Sequence, residues 1–431
     1  MKSSSGAAYL GQGVGQYPIA AIRELFPALD SGDDFVFFDN AAGAQVPQTA
    51  LDAVTKHLVR NNVQRGGRYQ KSVEVDATIA RARESTAVLV NARSSSEIAF
   101  GMNATSFIRI MSLAIGQTLD RRNEIILTDL DHEANIATWL TLAGEGAKFL
   151  WWKIREDGNL HTEDLRALLS SRTRLLACTV TSNALGSIVD VAEAGKLAHN
   201  AGAEIFLDCV HYGPHGVIDV QAWDCDYLVC SGYKIFAPHM GFLWGRRELL
   251  KALPTFREDF LPDEPPEKIE AGTFIYENVA GFDAAIRYLE ELGRPLSKDA
   301  VATSSLPARR SNLVAAMHAV RLYEQSLSRE LLRALTEAGA TIYGVCDEQR
   351  LHERVPTVCF NVGTRDPAEI TKALACAGIG VRDGHMYAPR LMRRLGLDPQ
   401  RGVIRASLVH YNTMQEIERF ADVLSELNCH S

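Results

Sequence analysis

A lysine and an aspartate each follow a short apolar segment of this chain. Lys234 stands in a turn of small residues directly after the strand-like run Tyr227–Cys230, and Asp208 ends the apolar run 203–208. An amine in such a turn can lose its hydration and shift toward its neutral, nucleophilic form. A lysine that forms a Schiff base and a carboxylate that keeps a pyridine nitrogen protonated are what a pyridoxal 5'-phosphate (PLP) site requires.

Apolar strands alternate with amphipathic helices between about residues 35 and 250. The candidate strands are Phe35–Phe38, Glu97–Phe100, Glu124–Thr128, Ala147–Trp151, Leu175–Val180, Glu204–Leu207 and Tyr227–Cys230. This order predicts an α/β fold with a mostly parallel, seven-stranded sheet that helices cover on both faces. Ligands of such sheets bind beyond the carboxyl ends of the strands, where Asp208 and Lys234 both stand.

The chain divides into a large and a small predicted domain. We expect residues 1–30 to pack with the small domain, residues 31–295 to form the PLP-binding large domain, and residues 296–431 to form a smaller α+β domain. The junction is predicted at Asp299–Ser311, a stretch rich in small and polar residues.

The overall composition is that of a globular protein without nucleic acid or membrane as a partner. The net charge is −8 and the basic clusters are short, which argues against a nucleic-acid surface. No apolar run reaches membrane-spanning length, and the N-terminus lacks the apolar core of a signal peptide. The eight cysteines show no Cys-x-x-Cys spacing, so we expect a reduced, cytoplasmic protein without a metal site.

Three further segments follow predicted strands and carry polar side chains. His132 stands at a helix start, where an imidazole can stack on a planar ring and shuttle protons, or simply cap the helix. Asn183 lies in a turn and offers two donors and an acceptor to a ring oxygen or a carboxylate. The segment Phe100–Ser106 runs from a strand into a helix, and its backbone N–H groups with the Thr105 and Ser106 hydroxyls could cradle a phosphate.

Taken together and in order, these segments resemble the class V aminotransferases of the PLP fold-type I superfamily, in particular the cysteine desulfurase and selenocysteine lyase branch. The resemblance covers nearly the whole chain and includes Phe38-Asp-Asn-Ala-Ala42, Arg65-Gly66-Gly67, Glu270-Ala-Gly-Thr273 and Ile404-Arg-Ala-Ser-Leu408. The block 208–215 is similar to the family's Asp-Gly-x-Gln-x-x-Pro-His, with His211 in place of glutamine. The block 231–234 is similar to Ser-x-His-Lys, with Tyr233 in place of histidine.

The resemblance implies catalytic roles for several of these residues. Lys234 would bind PLP and move the Cα proton, His132 would stack on the pyridine ring, and Asp208 would pair with its nitrogen. Asn183 would contact the ring hydroxyl side of PLP and the substrate. Arg405 would bind the substrate carboxylate through a bidentate pair.

The resemblance also implies the remaining cofactor contacts and a homodimer with shared active sites. His211 would contact the ring hydroxyl side together with Asn183. The phosphate would be held by Ala104, Thr105, Ser231 and Tyr233, with Thr273 reaching in from a second subunit.

The chain departs from the cysteine desulfurases at their catalytic loop. The family pattern Arg-x-Gly-His-x-Cys-Ala-x-Pro reads Arg382-Asp-Gly-His-Met-Tyr387-Ala-Pro389 here. A phenol cannot accept sulfur as a persulfide, so this step of the desulfurase mechanism is excluded at Tyr387. Tyr387 could act as a proton donor, line a substrate pocket with Met386, or pack the loop. His385 could contact a polar substrate tail.

We therefore expect a PLP-dependent lyase or transferase that acts on an amino acid. The favoured reaction is C–S cleavage of cysteine or an S-substituted cysteine by β-elimination, which needs no acceptor cysteine. The alternative is a PLP-dependent decarboxylase, an aldol-type C–C bond-forming enzyme or an epimerase of specialised metabolism. A catalytically silent protein of this fold is disfavoured because Lys234, Asp208 and Arg405 are all present.

Overall fold

The computed structural model describes residues 17–30, 32, 34–297 and 306–429. The strands of this part are β1 (Val36–Phe37), β2 (Ile98–Gly101), β3 (Glu124–Thr128), β4 (Lys148–Trp152), β5 (Thr173–Thr179), β6 (Glu204–Asp208), β7 (Tyr227–Ser231), β8 (Gly241–Gly245), β9 (Ala340–Tyr343), β10 (Thr357–Val362), β11 (Ile379–Gly380), β12 (Arg382–Gly384) and β13 (Val403–Ser407). The α-helices are α1 (Ile19–Arg23), α2 (Gln48–Asn61), α3 (Gln70–Val90), α4 (Ala104–Gly116), α5 (Ala134–Leu140), α6 (Thr162–Leu168), α7 (Val191–Asn200), α8 (Arg247–Ala252), α9 (Tyr276–Gly293), α10 (Ala308–Glu337), α11 (Pro367–Cys376), α12 (Pro389–Arg394) and α13 (Met414–Cys429).

Seven strands form the central sheet in the order β2-β8-β7-β6-β5-β3-β4. Every pairing is parallel except the two that β8 makes with β2 and β7. The predicted mostly parallel sheet of seven strands is thus confirmed, but one of its strands was misassigned. Phe35–Phe38 contributes only β1, which pairs with β11 outside the sheet, and Gly241–Gly245 takes the seventh place.

A second sheet lies in the C-terminal part of the chain. Its four strands follow the order β12-β13-β10-β9 and all pair in antiparallel fashion. The helices α10, α11 and α13 accompany it and share a hydrophobic core with it, which includes Leu331, Phe360 and Phe420. This is the smaller α+β unit that the sequence predicts.

The central strands β5, β6 and β7 are buried on both faces, as expected for a parallel sheet between two helical layers. Their side chains divide between two cores on opposite sides of the sheet. In β6, for example, Ile205 and Leu207 belong to one core and Phe206 belongs to the other. The strands end at Thr179, Asp208 and Ser231, so their carboxyl ends meet at one edge.

The N-terminal segment is described from Tyr17 onward and contacts the C-terminal helices. Tyr17 stacks on Tyr323 with ring centroids 4.3 Å apart, and Arg23 pairs with Glu416 at 2.9 Å. Most of the predicted junction 299–311 lies outside the described residues. Within the ranges that the structure describes, no helix has both the length and the apolar character needed to cross a bilayer.

Candidate active site

A cavity of about 530 Å³ lies where β5, β6 and β7 end and α4 begins. This volume includes space open to solvent. The residues that line it are Asn103, Ala104, Thr105, Ile108, His132, Ala134, Thr179, Thr181, Asn183, Asp208, Val210, His211, Ser231, Tyr233 and Lys234. The structure therefore brings together every residue predicted to bind the cofactor, with the exception of Thr273.

Lys234 lies in the single turn of 3₁₀ helix that follows β7. Its side chain is buried and belongs to the cavity wall. Burial and the neighbouring Arg405 guanidinium lower the pKa of Lys234 from 10.5 to about 8, although the Asp208 carboxylate acts in the opposite direction. A substantial fraction of the amine is therefore neutral near physiological pH, which a nucleophilic lysine needs.

We expect the protein stripped of cofactor to take up PLP at a rate that rises with pH through a midpoint of about 8. Only the neutral amine attacks the aldehyde, and its fraction grows as the pH rises through the pKa of Lys234. Stopped-flow absorbance at a series of pH values measures this rate. Nα-acetyl-lysine provides the control, because its exposed amine keeps an ordinary pKa. A midpoint near that of the control would contradict the desolvated state of Lys234.

Asp208 stands at the end of β6 and lines the same cavity as Lys234. One carboxylate oxygen, Oδ1, accepts a hydrogen bond from the Val210 N–H at 2.9 Å, and the other has no hydrogen bond within the described part of the chain. Burial raises the pKa of Asp208, opposed by the Val210 N–H and by the charge of Lys234. Such a desolvated carboxylate is suited to a cationic N–H partner, which a protonated pyridine nitrogen provides.

His132 follows β3 and is held in one tautomer. Its Nδ1 accepts from the Ala134 N–H at 3.0 Å, so the neutral ring carries its proton on Nε2. Burial and the charges of Lys234 and Arg405 lower the pKa of His132 to about 4. The imidazole is thus neutral at physiological pH and presents a flat, uncharged face to the cavity.

The preceding residue, Asp131, fixes the segment that carries His132. Its carboxylate accepts hydrogen bonds from Asn135 Nδ2 at 2.6 Å, from the Thr179 N–H at 3.1 Å and from the Thr128 hydroxyl. Burial raises the pKa of Asp131 to about 8. Sequence reasoning missed this residue, although its place next to His132 in a buried stretch gave a signal.

The N-terminus of α4 lies at the part of the cavity that is suited to bind a phosphate. Asn103 caps the helix through Oδ1, which accepts from the Ser106 N–H at 2.9 Å. The thirteen-residue helix places its first N–H groups and the positive end of its dipole at the cavity. A side chain at Gly241 would lie 2.5 Å from the Asn103 carbonyl carbon, so only glycine lets β8 approach this turn. The Ser106 hydroxyl, predicted to join the cradle, donates to Asn103 instead.

Asn183 links the cavity to the loop that carries Met386 and Tyr387. Its Nδ2 donates to the Met386 carbonyl at 2.7 Å, while its buried Oδ1 has no partner among the described residues. Asn183 therefore has an unpartnered acceptor, Oδ1, and a second amide N–H beside the one that donates to Met386. Both the donor and the acceptor roles that the sequence left open thus remain open in the structure.

Arg405 lies on β13 and is 1 % exposed. Its Nη1 donates to the Asn183 carbonyl at 2.8 Å and its Nη2 to Asp39 Oδ1 at 2.9 Å. Asp39 also binds Arg382, at 2.7 Å. The Arg405 Nε is buried without a partner in the described part of the chain. Arg405 is not among the residues that line the cavity, and protein groups already occupy both Nη atoms, so the predicted bidentate pair with a substrate carboxylate is not preformed.

The loop after β12 covers the region beside His132. Met386 is buried, whereas the Tyr387 side chain is about half exposed. Both residues have left-handed backbone conformations, with φ of 51° and 56°, which is costly for side chains of this size. The Tyr387 ring centroid lies 5.6 Å from that of His132 at an interplanar angle of 30°.

Contacts from the start of α5 hold this loop in place. The Glu133 N–H donates to the Tyr387 carbonyl at 2.8 Å, and the Glu133 carboxylate pairs with Arg390 at 3.3 Å. His385 Nδ1 accepts from the Tyr387 N–H at 3.0 Å. The predicted substrate contacts His385 and Met386 thus shape the loop itself and do not line the cavity.

No cysteine side chain lines the cavity in the part of the chain that the structure describes. Cys209, which follows Asp208, is fully buried and its pKa is raised by burial. Cys376 is exposed at the end of α11. Neither thiol stands where it could receive sulfur from a substrate in the cavity.

The cavity fits PLP in its chemistry. Thr181 Oγ1, Asn183 Oδ1 and His211 Nδ1 are buried and lack partners within the described residues, and all three belong to the cavity wall. Unpartnered buried polar atoms are costly, so their convergence indicates a polar ligand. The cavity also contains a group for each remaining part of PLP. These groups are a helix N-terminus for the phosphate, a carboxylate for the pyridine nitrogen and a partly neutral lysine for the aldehyde.

Thr273 is the one predicted cofactor contact that lies elsewhere. It is exposed, and its hydroxyl accepts from Gln64 Nε2 at 2.7 Å. The prediction places Thr273 in the active site of a second subunit. Its position outside the cavity of its own chain therefore does not test that prediction.

Comparison with known proteins gives extended matches. The family model described as aminotransferase class-V matches residues 36–304 and 312–420. The aminotransferase-like protein FGM3 of Gibberella zeae is 33% identical over 415 residues, which are 94% of this chain and 96% of that protein. A probable cysteine desulfurase of Synechocystis is 32% identical over 425 residues, which cover 94% of each chain.

Solved structures of cysteine desulfurases are similar over the whole fold. The apo structure of the Thermococcus onnurineus enzyme has a TM-score of 0.84 and 26% identity, covering 97% of this chain and 100% of its own. Cysteine desulfurase CsdA of Escherichia coli has a TM-score of 0.81 and 25% identity, covering 96% of this chain. The architecture described above is therefore that of the PLP fold-type I enzymes, as predicted.

Proposed function

Because the chain belongs to the aminotransferase class-V family and is a PLP-dependent enzyme, we propose that it is a lyase that cleaves a C–S bond. The substrate is cysteine or an S-substituted cysteine, and the reaction is a β-elimination without a persulfide. When bound, PLP supplies an electron sink for the negative charge that develops at Cα. The observation that carries this proposal is a cavity wall with a partly neutral lysine and, among the described residues, no thiol.

Lys234 and Arg405 would have different roles in such an elimination. Lys234 Nζ takes the proton from Cα, the Cβ–S bond breaks, and the leaving sulfur gains a proton to depart as a thiol. The remaining enamine hydrolyses to pyruvate and ammonia, which balances the reaction with one water. Arg405 is assigned the substrate carboxylate because its Nε has no partner among the described residues, and this contact would orient the Cα–H bond.

The test is to incubate the PLP-loaded protein in heavy water with cysteine, S-alkyl cysteines, aspartate and alanine. We expect thiol and pyruvate in equal amounts from at least one cysteine derivative, measured by a thiol assay and by proton NMR. The variant Lys234→Met is the blank that subtracts any reaction of free PLP. Failure to release thiol from every cysteine derivative would sink the proposal.

A second candidate breaks or forms a different bond with the same cofactor. Charged pairs close to the site residues favour it: Glu133, next to His132, pairs with Arg390, and Asp39, which binds Arg405, pairs with Arg382. Such groups suit a polar or charged substrate tail better than an alkyl thiol. One of the similar proteins, FGM3, is named aminotransferase-like and not a desulfurase. In the same experiment, exchange at Cα or loss of carbon dioxide without thiol indicates a decarboxylase, an aldol-type enzyme or an epimerase.

Tyr387 is not among the residues that line the cavity, and we expect its ring to bound the substrate from beside His132 and not to donate a proton. Its hydroxyl makes no hydrogen bond with the described residues, and its ring faces His132. We expect Tyr387→Phe to change kcat less than threefold and Tyr387→Ala to raise KM about tenfold through lost aromatic contact. Phe and Ala share the left-handed backbone cost of Tyr, so steady-state kinetics of the pair isolate the side chain. A fall in kcat of about 100-fold for Tyr387→Phe would make Tyr387 the donor instead.

We also propose a homodimer in which each subunit completes the site of the other. Exposed apolar side chains support this, namely Met102 beside the cradle at Asn103, Leu113, Phe256 and Phe260. Sedimentation analysis is expected to give twice the mass of one chain. Thr273→Ala is expected to weaken PLP binding several-fold, whereas Thr336→Ala, a surface control on α10, leaves it unchanged. A monomer with full PLP affinity contradicts the proposal.

A further inference from the structure

We propose that Thr357 is a positioning residue that acts through His211: its hydroxyl fixes His211 in the tautomer that directs an N–H donor into the cavity. The inference rests on PLP binding alone and is independent of which substrate bond is broken. It concerns a position where the related enzymes carry glutamine, whose amide N–H₂ is always a donor. An imidazole at this position is a donor only in one of its two neutral tautomers.

The side chains of His211, which follows a strand of the central sheet, and Thr357, which lies in the C-terminal sheet, contact each other. His211 lies just after β6, is 3 % exposed and lines the cavity. Thr357 opens β10 and is fully buried. The His211 Nε2 and the Thr357 Oγ1 are 3.0 Å apart, while His211 Nδ1 is buried without a partner in the described part of the chain.

The direction of this hydrogen bond follows from the surroundings of Thr357. Its hydroxyl makes one hydrogen bond only within the described residues, the one to His211. A buried hydroxyl proton without an acceptor is costly, so the hydroxyl donates and Nε2 accepts. The single proton of the neutral ring must then lie on Nδ1. His211 thus presents an N–H donor to the cavity.

The charged surroundings keep this ring neutral. Burial, followed by the charges of Lys234, His215 and Arg405, lowers the pKa of His211 well below its usual value. His215 lies behind it with ring centroids 5.3 Å apart, and its Nδ1 is 2.8 Å from the buried Glu324 carboxylate. His211 therefore does not become a double donor by protonation, and its tautomer alone decides what it offers.

Thr357 is itself held firmly. The guanidinium of Arg354 donates through Nη2 to the Thr357 carbonyl at 2.6 Å and to the Leu185 carbonyl at 3.3 Å. Arg354 is fully buried, and its hydrogen bonds within the described part of the chain all go to backbone carbonyls. The position of the hydroxyl is thereby tied to the turn that contains Asn183.

The two neighbours His211 and Asn183 offer complementary atoms to a ligand. Asn183 Oδ1 is an acceptor without a partner among the described residues, while one of the two amide N–H groups of Asn183 donates to Met386. His211 presents a donor, Nδ1–H. If PLP is bound with its ring oxygen near this donor, the donor would stabilise negative charge on the oxygen and lower the pH at which the Lys234 nitrogen loses its proton.

The test compares Thr357→Val, which keeps the shape but removes the hydroxyl, with Thr357→Ser, which keeps the hydroxyl. The readout is the pH midpoint of the absorbance change of PLP bound in the holoenzyme. We expect Thr357→Val to raise this midpoint by roughly half a pH unit or more, because the Nδ1–H donor is no longer enforced. Thr357→Ser is expected to keep the wild-type midpoint. An unchanged midpoint in Thr357→Val, or equal shifts in both variants, overturns the inference.

A second measurement covers the case in which Thr357→Val does not fold. The nitrogen chemical shifts of ¹⁵N-histidine-labelled wild-type protein report which ring nitrogen carries the proton, with His211 assigned by its loss in His211→Gln. We expect Nδ1 to be protonated and Nε2 to be bare in the wild-type protein. The opposite tautomer contradicts the inference, whatever the outcome with the variants.

Discussion

Lys234→Met is expected to abolish the covalent attachment of PLP and to reduce turnover by at least about 10³-fold. In the proposed mechanism the amine is both the group that binds the aldehyde and the base that moves the Cα proton, so its removal would eliminate two functions at once. Methionine has a similar volume and suits the buried position. The attachment is measured by the absorbance of the dialysed protein and the turnover by the thiol assay.

Lys268 provides a matched control for this prediction. It is also buried, but its Nζ pairs with Asp263 at 2.7 Å and donates to the Lys251 carbonyl, away from the cavity. Lys268→Met is expected to lower the thermal stability without affecting the absorbance of bound PLP. Covalent PLP in Lys234→Met, or its loss in Lys268→Met alone, contradicts the assignment of Lys234.

Asp208→Asn is expected to reduce kcat by roughly 10³-fold while the protein still folds and binds PLP. The amide keeps the size of the side chain and its Oδ1 can still accept from the Val210 N–H. The negative charge is lost, so a protonated pyridine nitrogen is no longer stabilised and the ring accepts electrons less well. Steady-state kinetics and PLP titration separate the effect on kcat from that on affinity.

A buried carboxylate that directly precedes β7 provides the control for Asp208. Asp226 accepts from the Ile205 N–H at the opposite end of β6 and pairs with His199 and Arg246. Asp226→Asn also removes the charge of a buried carboxylate beside the sheet, and we expect it to affect stability but not kcat. Equal loss of kcat in the two variants would show that the charge of Asp208 acts on the fold and not on the cofactor.

The positions of Lys234 and Asp208 were predictable because both follow continuous apolar strands. In a parallel sheet, such strand ends must meet at one edge, and the cavity is found there. The strand Gly241–Gly245 was missed because its three central residues lie between two glycines, which read as a turn. The run Phe35–Phe38 was assigned to the central sheet because periodicity identifies a strand but not its partner.

The long-range contacts that determine which hydrogen-bonding atoms of a side chain are free for a ligand were not predictable. Arg405 and Asp39 are 366 positions apart, and His211 and Thr357 are 146 positions apart. Local patterns carry no information on such pairs. The sequence could therefore place Asn183 and His211 near the cavity, but it could not show that Asn183 donates to the Met386 carbonyl or that His211 contacts the Thr357 hydroxyl.

The bond between Asn183 and the Met386 carbonyl makes loop position and ligand occupancy thermodynamically linked. A ligand that requires the particular N–H of Asn183 that donates to the Met386 carbonyl at 2.7 Å must first displace the loop. By reciprocity, any change that loosens the loop strengthens the binding of such a ligand by the same factor. A ligand that needs only the Oδ1 acceptor is instead bound with the loop closed. The Asn183 amide thus distinguishes ligands that require the loop to open from ligands that bind while the loop stays closed.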